Sequence, residues 1–291
     1  MIEKRTFAGP ASFVGRMDPI RVAHLTDLHV GRVTPMKVQR AAVAATNDAR
    51  PDVVAITGDF VCHSQAYLDD LTEIVRRFEA PVVAVLGNHD HWSGGAEVRR
   101  ALERAGAAVL SNAFTTLTVR GQRLQLVGLD DAYTGHADPD RATRGLDPHV
   151  PSLGLSHIGE EADGLWARGV PFVLSGHTHA GQITVARLHE IALGRLAGHK
   201  YMHGLYGSRA TGGAVYVGAG IGASVIPFRV GERARREVAT FELGVANGAF
   251  VEHHAEQPPL PGRKPTARAT MKRYAKVVKN QAKRDRRAPS A

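Results

Sequence analysis

Short apolar runs alternate with helix-like patterns up to about residue 175 of this 291-residue chain, and this alternation constrains its fold most. Six runs rich in valine, isoleucine and leucine are predicted strands, over residues 21–25, 52–57, 82–86, 107–110, 152–156 and 171–174. Helical patterns lie between them, over residues 36–49, 67–78 and 97–105. Because strands separated by helices are typical of βαβ units, we predict an α/β fold with a mostly parallel sheet.

Two other stretches, residues 114–130 and 214–243, contain strand-like runs with no helical pattern between them. They predict an antiparallel contribution or a second sheet. No linker-like composition interrupts residues 21–243, so we expect one domain there. We therefore divide the chain into an N-terminal extension (1–20), one domain (21–245) and a basic tail (246–291) that is either disordered or partly helical.

Metal-ligating residue types follow five of the predicted strands, at the point where each strand ends. In order, these segments carry Asp27 and His29, Asp59, Asn88 and His89, His157, and His177 and His179. Ligands bind beyond the carboxyl ends of the strands in open α/β sheets, so we expect these side chains to meet at one rim. The alternative is that these are ordinary polar loop residues. The presence of ligating residue types in five separate segments at strand ends argues against that interpretation.

The mixture of aspartate, asparagine and histidine indicates what the rim would bind. Imidazole suits zinc, iron and similar ions and carboxylate suits harder ions, so the mixed set predicts a site for divalent metals. The spacing from Asp27 to His29, and from His177 to His179, places alternate residues on one side of an extended segment. Both members of each pair can then face the same metals.

The order of these motifs resembles the calcineurin-like metallophosphoesterase superfamily over about residues 21–243. The segments have the sequences TDLHVG, TGDF, GNHDHWSG, LSH and SGHTHAGQ. These motifs are similar to those of a small bacterial branch of the superfamily. That branch includes phosphodiesterases and a group similar to UDP-diacylglucosamine pyrophosphatase. The motif set is specific for the superfamily and less specific for the substrate.

The resemblance implies both a fold and a metal site. The fold is a four-layer αββα sandwich, in which two mixed β-sheets are flanked by helices. The site holds two divalent ions, of manganese, iron or zinc, with Asp59 bridging them. The implied ligands are Asp27, His29, Asp59 and His179 for one ion, and Asp59, Asn88, His157 and His177 for the other.

The implied reaction is hydrolysis of a phosphodiester or phosphomonoester by a hydroxide that bridges the two ions. His89 is the implied general acid or transition-state stabiliser near the leaving oxygen, and Asp59 completes the catalytic pair. One position departs from the superfamily, in which many members read GD-x-x-D and the second aspartate orients the catalytic histidine. That position is Cys62 here. Either another acid supports His89, with Asp90 nearest in sequence, or the role of His89 is weaker.

Trp92 and the pair Asp130 and Asp131 are open to two interpretations. Trp92 follows the third ligand segment, so it either lines the pocket or belongs to the core. Asp130 and Asp131 come directly after a predicted strand and serve either the site or a turn.

The net charge of +9 is concentrated in the tail. Residues 246–291 contain eleven lysine and arginine residues against three acidic ones, so eight of the nine net charges lie there. The tail is therefore either a disordered solubilising extension or a segment that attaches the protein to an anionic membrane surface or to nucleic acid. The charge of the remaining chain is close to neutral and does not define the substrate.

Three further features bear on location and function. Cys62 is the only cysteine, and there is no apolar run that resembles a signal peptide or a membrane span, so we expect a cytoplasmic protein, with peripheral membrane attachment as a variant. A nuclease of the same superfamily is an alternative function because the tail is basic. A non-catalytic scaffold is disfavoured, because all seven ligand positions are occupied by ligating residue types.

Overall fold

The computed structural model of the protein describes residues 2–62, 64–181, 198–207, 212–223, 229 and 234–246. The strands of this part are β1 (Ile2–Ala8), β2 (Ile20–Leu25), β3 (Val53–Thr57), β4 (Val82–Val85), β5 (Ala108–Leu110), β6 (Ala113–Val119), β7 (Gln122–Gly128), β8 (Ser152–Leu155), β9 (Phe172–Ser175), β10 (Gly204–Gly207), β11 (Ala214–Val217) and β12 (Arg236–Leu243). The α-helices are α1 (Met36–Asp48), α2 (Leu68–Val75), α3 (Asn88–Arg104), α4 (Pro139–Thr143) and α5 (Ala162–Trp166).

The strands form two six-stranded mixed sheets. The first sheet has the order β1-β12-β2-β3-β4-β5 and is parallel except where β12 meets β2. The second sheet has the order β10-β11-β9-β8-β7-β6 and is antiparallel only at its two outer pairs, β10 with β11 and β7 with β6. The predicted antiparallel contribution and the second sheet are therefore both present.

Three apolar clusters separate four layers. The first cluster packs α1, α2 and α3 on the outer face of the first sheet, the second lies between the sheets, and the third packs α4 and α5 on the second sheet. Alternation along β3 shows how one strand serves two layers, because Val53 and Ala55 join the cluster between the sheets whereas Val54 and Ile56 join the helical one. The expected four-layer αββα sandwich is confirmed.

The N-terminal segment differs from the predicted extension, because β1 is the edge strand of the first sheet. It pairs in parallel with β12 from Ile2, opposite Arg236, to Ala8, opposite Glu242. A strand-like run with few fully buried positions gives little signal on its own, which is why the predicted domain began at residue 21. The first sheet therefore includes residues 2–8, which precede the predicted domain.

Helix α3 begins nine residues earlier than its predicted start and is bent. Gly94 has φ of 110°, outside the helical region, and it divides the helix into a short first segment and a longer second one. Glycine adopts this conformation without the steric cost that a side chain would add. The first segment carries Asn88 and His89, so two of the predicted site residues lie on a helix rather than in a loop.

The predicted basic tail lies outside the described residues from position 247 onwards. Within the described part of the chain, no helix is long and apolar enough to cross a membrane.

Candidate metal centre

The eight predicted site residues are brought together at the carboxyl ends of five strands. Strands β2, β3 and β4 of the first sheet and β8 and β9 of the second all end at this rim. The residues that follow them are Asp27 and His29, Asp59, Asn88 and His89, His157, and His177 and His179. The centre is therefore built by both sheets, as expected for ligands beyond the carboxyl ends of parallel strands.

Four of these residues form what we call the first half of the centre: Asp27, His29, Asp59 and His179. One potential ligand atom from each lies within 4.8 Å of those of the others. His29 Nε2 is 3.0 Å from His179 Nε2 and 3.5 Å from Asp59 Oδ2. All four side chains are buried, with at most 7% of the residue exposed. Two carboxylates and two imidazoles thus converge on one small volume.

The second half consists of Asp59, Asn88, His157 and His177. His157 Nε2 is 3.4 Å from Asp59 Oδ1 and 3.2 Å from His177 Nδ1, and potential ligand atoms of these three residues lie within 4.8 Å of one another. Asn88 is buried, and its Oδ1 atom has no hydrogen-bond partner. Asp59 belongs to both halves, with Oδ2 turned towards His29 and Oδ1 towards His157.

The backbone is strained at five of these positions. Positive φ angles of 42° to 74° occur at Asp27, His29, Asp59, His177 and His179. A non-glycine residue in this region costs about 1–3 kcal/mol, and such strain persists only where the surroundings fix it. Backbone hydrogen bonds do so here, from Asp27 N to Gly58 O at 3.0 Å and from His29 N to Asp59 O at 2.9 Å. The concentration of strain at one rim is typical of a functional site.

The two oxygens of Asp27 have different surroundings. Its Oδ2 atom accepts a hydrogen bond from His177 N at 3.0 Å and lies 2.8 Å from Thr26 Oγ1. Its Oδ1 atom is buried without a hydrogen-bond partner and lies 3.2 Å from His179 Nε2. One oxygen is therefore fixed by the protein, and the other is turned towards the cluster.

The ring of His157 is held by the backbone of β3. Its Nδ1 atom lies 2.8 Å from Thr57 O, and a carbonyl oxygen only accepts, so Nδ1 carries the proton. Nε2 is then the ring nitrogen that faces Asp59. A hydrogen bond from the far ring nitrogen is the usual way in which a metal-ligating histidine is oriented.

Two glycines allow the segments to approach closely. A Cβ atom at Gly176 would overlap Thr26 Oγ1 and Asp27 Oδ2, and one at Gly87 would overlap Asp59 Oδ1 and the Asp59 backbone nitrogen. Any side chain at either position would push a ligand segment out of the rim.

Burial and charge give the histidines different protonation. Burial lowers the pKa of His29, His177 and His179, so these rings are neutral near pH 7. Burial opposes protonation of His157 as well, but the charge and hydrogen bond of Asp59 outweigh it and raise the pKa of His157 to about 10. Against the opposing effect of burial, His157 and His89 hold the pKa of Asp59 well below its usual value.

This donor set fits divalent cations. Three neutral imidazoles, an ionised shared carboxylate and two buried oxygens without hydrogen-bond partners, Asp27 Oδ1 and Asn88 Oδ1, suit metal ions of borderline hardness. Buried polar atoms without a partner are rare in folded proteins and call for an explanation, and a bound cation is one that fits this set of donors.

His89 lies against the first half. Its backbone nitrogen donates to Asp59 Oδ1 at 2.9 Å, its Nε2 is 3.9 Å from Asp59 Oδ2, and its ring centroid is 4.8 Å from that of His29. Cys62 joins this corner, with potential ligand atoms of Cys62, His29 and His89 within 4.8 Å of one another. Burial and the charge of Asp59 raise the pKa of the Cys62 thiol to about 11, so it is uncharged.

The carboxylate of Asp90 connects two backbone segments of the rim. Its Oδ1 accepts from the backbone nitrogens of Phe60, at 2.8 Å, and Val61, at 3.1 Å, and its Oδ2 accepts from Gly87 N at 2.9 Å. Asp90 thereby joins the segment after β3 to the start of α3. Burial and the negative charge of Asp59 raise its pKa to about 7.

Four further residues lie at the rim. The sequence left Trp92 open between the pocket and the core, and it did not single out the other three. The ring of Trp92 lies 5.0 Å from that of His89, and the rings of Tyr133 and His199 each lie 5.5 Å from that of His177. Glu160 holds His199, with Oε1 3.2 Å from His199 Nδ1. Tyr133 follows β7, a neighbour of β8, so the strand-end rule could have found it. No comparable signal marks His199 and Glu160.

The two aspartates after β7 have separate structural roles. Asp130 Oδ1 lies 2.8 Å from His91 Nε2, and Asp131 Oδ2 accepts from Thr134 N at 2.6 Å in a turn. The turn positions the neighbouring Tyr133, so Asp131 acts on the site through the loop, whereas Asp130 pairs with His91.

Comparison with known proteins shows that the chain is similar to phosphoesterases. A model of the calcineurin-like phosphoesterases matches residues 20–181. An uncharacterized metallophosphoesterase of Bacillus subtilis, YkuE, is 28% identical over 236 residues, which covers 79% of this chain and 81% of the relative. Phosphodiesterase YaeI of Escherichia coli is 28% identical over 243 residues, covering 80% of this chain and 85% of the relative.

A more distant relative and a solved structure extend the comparison. UDP-2,3-diacylglucosamine pyrophosphatase LpxG of Chlamydia trachomatis is 24% identical over 214 residues, covering 57% of this chain and 65% of the relative. The structure of GAP50 of Plasmodium, 11% identical, covers 90% of this chain and 95% of its own with a TM-score of 0.50. At this identity the structural likeness concerns the fold alone.

Proposed function

Because this chain belongs to the calcineurin-like phosphoesterase family, as its motifs indicated, we propose that it hydrolyses a phosphodiester or phosphomonoester with two divalent cations. The observation that supports this most directly is the position of Asp59. Its two oxygens face two separate groups of ligand atoms, one in each half of the centre. A carboxylate shared in this way suits a pair of ions.

The two halves would hold one cation each. Asp27, His29 and His179 would complete the first set around Asp59, and Asn88, His157 and His177 would complete the second. When bound, two such ions lower the pKa of water and neutralise phosphate oxygens, which supplies both a nucleophile and charge stabilisation. Manganese, iron and zinc are the ions that this mixture of ligands favours.

The protein's own residues would contribute to the reaction by positioning the phosphate and by donating a proton to the leaving oxygen. The buried rim excludes bulk water, so interactions with the phosphate oxygens are strong there. His89 lies beside Asp59 and donates its proton to the departing oxygen, which would otherwise leave as a costly alkoxide. No side chain forms a covalent bond to phosphorus in this scheme.

Reconstitution with metals tests the proposal. Apoprotein is loaded with Mn, Fe, Co, Ni or Zn and assayed with bis(p-nitrophenyl) phosphate and p-nitrophenyl phosphate. We expect metal-dependent hydrolysis of at least one ester, and Asp59→Asn should lower kcat by about 10³-fold or more, because both halves lose charge. Absence of activity with every metal would instead favour a non-catalytic scaffold.

Nuclease activity is the second candidate, and the basic tail favours it, although the tail lies outside the described residues. The same tail could hold a cytoplasmic protein against an anionic membrane surface. Deletion of residues 258–291 separates the two outcomes. Loss of salt-sensitive DNA binding favours the nuclease, and loss of binding to anionic vesicles favours membrane attachment.

A further inference from the structure

Two half-buried aromatic residues close one side of the metal centre, although neither belongs to the proposed ligand set. Trp92 lies on the first segment of α3, and Tyr133 lies in the turn after β7. Their ring centroids are 5.9 Å apart and their planes meet at 73°. We call this pair the aromatic wall.

The aromatic wall extends from one half of the centre to the other. At one end, the ring of Trp92 lies 5.0 Å from that of His89, which faces the first half. At the other end, the ring of Tyr133 lies 5.5 Å from that of His177, a member of the second half. A phosphate held between the halves would have the wall beside it, and His89, the proposed proton donor to the leaving oxygen, lies at the Trp92 end of the wall.

The only other tryptophan of the chain shows what a purely structural one looks like here. Trp166 is 7% exposed, packs in the cluster under α5, and donates from Nε1 to Ala214 O at 3.1 Å. Trp92 is more exposed, and its ring lies 5.0 Å from that of His89 at the rim. Apolar area left in contact with water beside a polar site is typical of a ligand-binding surface.

We propose that the aromatic wall binds a planar ring, such as an aryl group or a nucleobase, in the leaving group of the substrate; this rests on the proposed hydrolysis. Two rings at 73° form a corner, so a planar ring that stacks on one presents its edge to the other. Stacked and edge-to-face contacts are the two favoured aromatic geometries. A saturated chain gains neither, so Trp92 and Tyr133 determine specificity.

Two phosphonates of similar size, phenylphosphonate and cyclohexylphosphonate, test the proposal as competitive inhibitors of bis(p-nitrophenyl) phosphate hydrolysis by the metal-loaded enzyme. Stacking of one ring predicts that phenylphosphonate binds about tenfold more tightly. Trp92→Leu and Tyr133→Leu should each reduce this preference to about twofold or less, whereas Trp92→Phe should retain most of it. Tyr67→Leu is the matched control, because the Tyr67 ring lies beside Gly31 and outside the wall.

A second readout does not depend on turnover. Trp166→Phe leaves Trp92 as the single tryptophan, and p-nitrophenylphosphonate should quench its fluorescence over the concentration range in which it inhibits. The proposal would be overturned if the unmodified enzyme bound the two phosphonates equally well or preferred cyclohexylphosphonate. It would also be overturned if the preference for phenylphosphonate survived in both leucine variants. If the protein is inactive with every metal but p-nitrophenylphosphonate still quenches Trp92 fluorescence, the proposed hydrolytic function is contradicted, whereas ring binding by the aromatic wall is not.

Discussion

The first and second halves of the metal centre differ in protonation, although both contain Asp59. In the first half, burial keeps His29 and His179 neutral near pH 7, so their ring nitrogens are ready to bind a cation. In the second half, Asp59 raises the pKa of His157 to about 10, so that ring carries a proton near pH 7. The same carboxylate thus leaves one half ready for a cation and places a competing proton in the other.

Two ligand sets of similar composition need not bind cations in the same order. We expect a cation entering the second half to displace a proton from His157, and one entering the first half to displace none from His29 or His179. A cation in the first half would also weaken the attraction between Asp59 and His157. We therefore expect the first half to fill before the second and to assist it.

The largest expected effect comes from removing one half at a time. Asp27→Ala should abolish cation binding in the first half only, and His157→Ala in the second half only. Each should lower kcat by about 10²–10³-fold, because one of two charge-stabilising ions is lost. Elemental analysis should give one metal per chain in each variant, against two in the unmodified protein.

The matched control for these variants is Asp130→Asn, which alters a buried aspartate that pairs with His91 outside both halves. It should retain two metals per chain. Loss of both metals in Asp27→Ala and in His157→Ala alike would mean that the halves are one inseparable site.

A smaller effect concerns His89, which adjoins the first half without belonging to it. His89→Asn should slow hydrolysis of esters with poor leaving groups by about 10²-fold, since these need a proton donor. Loss on p-nitrophenyl esters should be much smaller, and the metal content should stay at two per chain. An equal loss on both kinds of ester would exclude the general-acid role, and a loss of metal would place His89 among the ligands.

The smallest effect is the pH dependence of metal uptake. Because the pKa of His157 is raised to about 10, its proton must leave at any lower pH, so affinity in the second half should fall about tenfold per pH unit as the pH decreases. Calorimetry in two buffers of different ionisation enthalpy should detect about one proton released near pH 7. Release that persists in His157→Ala would assign the proton elsewhere.

The strand-end motifs indicated which side chains meet in space because each piece is local in sequence. The positions after β2, β3, β4, β8 and β9 are fixed by the parallel order of the strands, so a chain read residue by residue already indicates their meeting point. The segment of β1 gave no such signal, because it depends on pairing with β12, more than two hundred residues away. Long-range pairing of this kind has no local pattern.

The surroundings of the ligands were harder to predict for the same reason. The acid nearest to His89 in sequence, Asp90, binds three backbone nitrogens, and this requires the positions of two loops in space. The contact of Glu160 with His199 joins segments 39 residues apart that carry no motif. Proton positions such as that of His157 depend on distances of a few ångströms, which spacing in sequence does not give.

The short helical segment before the bend at Gly94, about one and a half turns long, carries several of the proposed functional side chains. It carries a proposed ligand, Asn88, the proposed acid, His89, the loop-joining Asp90, and one ring of the wall, Trp92. A shift of this segment would disturb all of them together, so its backbone is poorly suited to gradual evolutionary change. New substrate preferences in related enzymes should therefore arise by exchange of the side chains at positions 92 and 133, while the segment that bears the first of them stays in place.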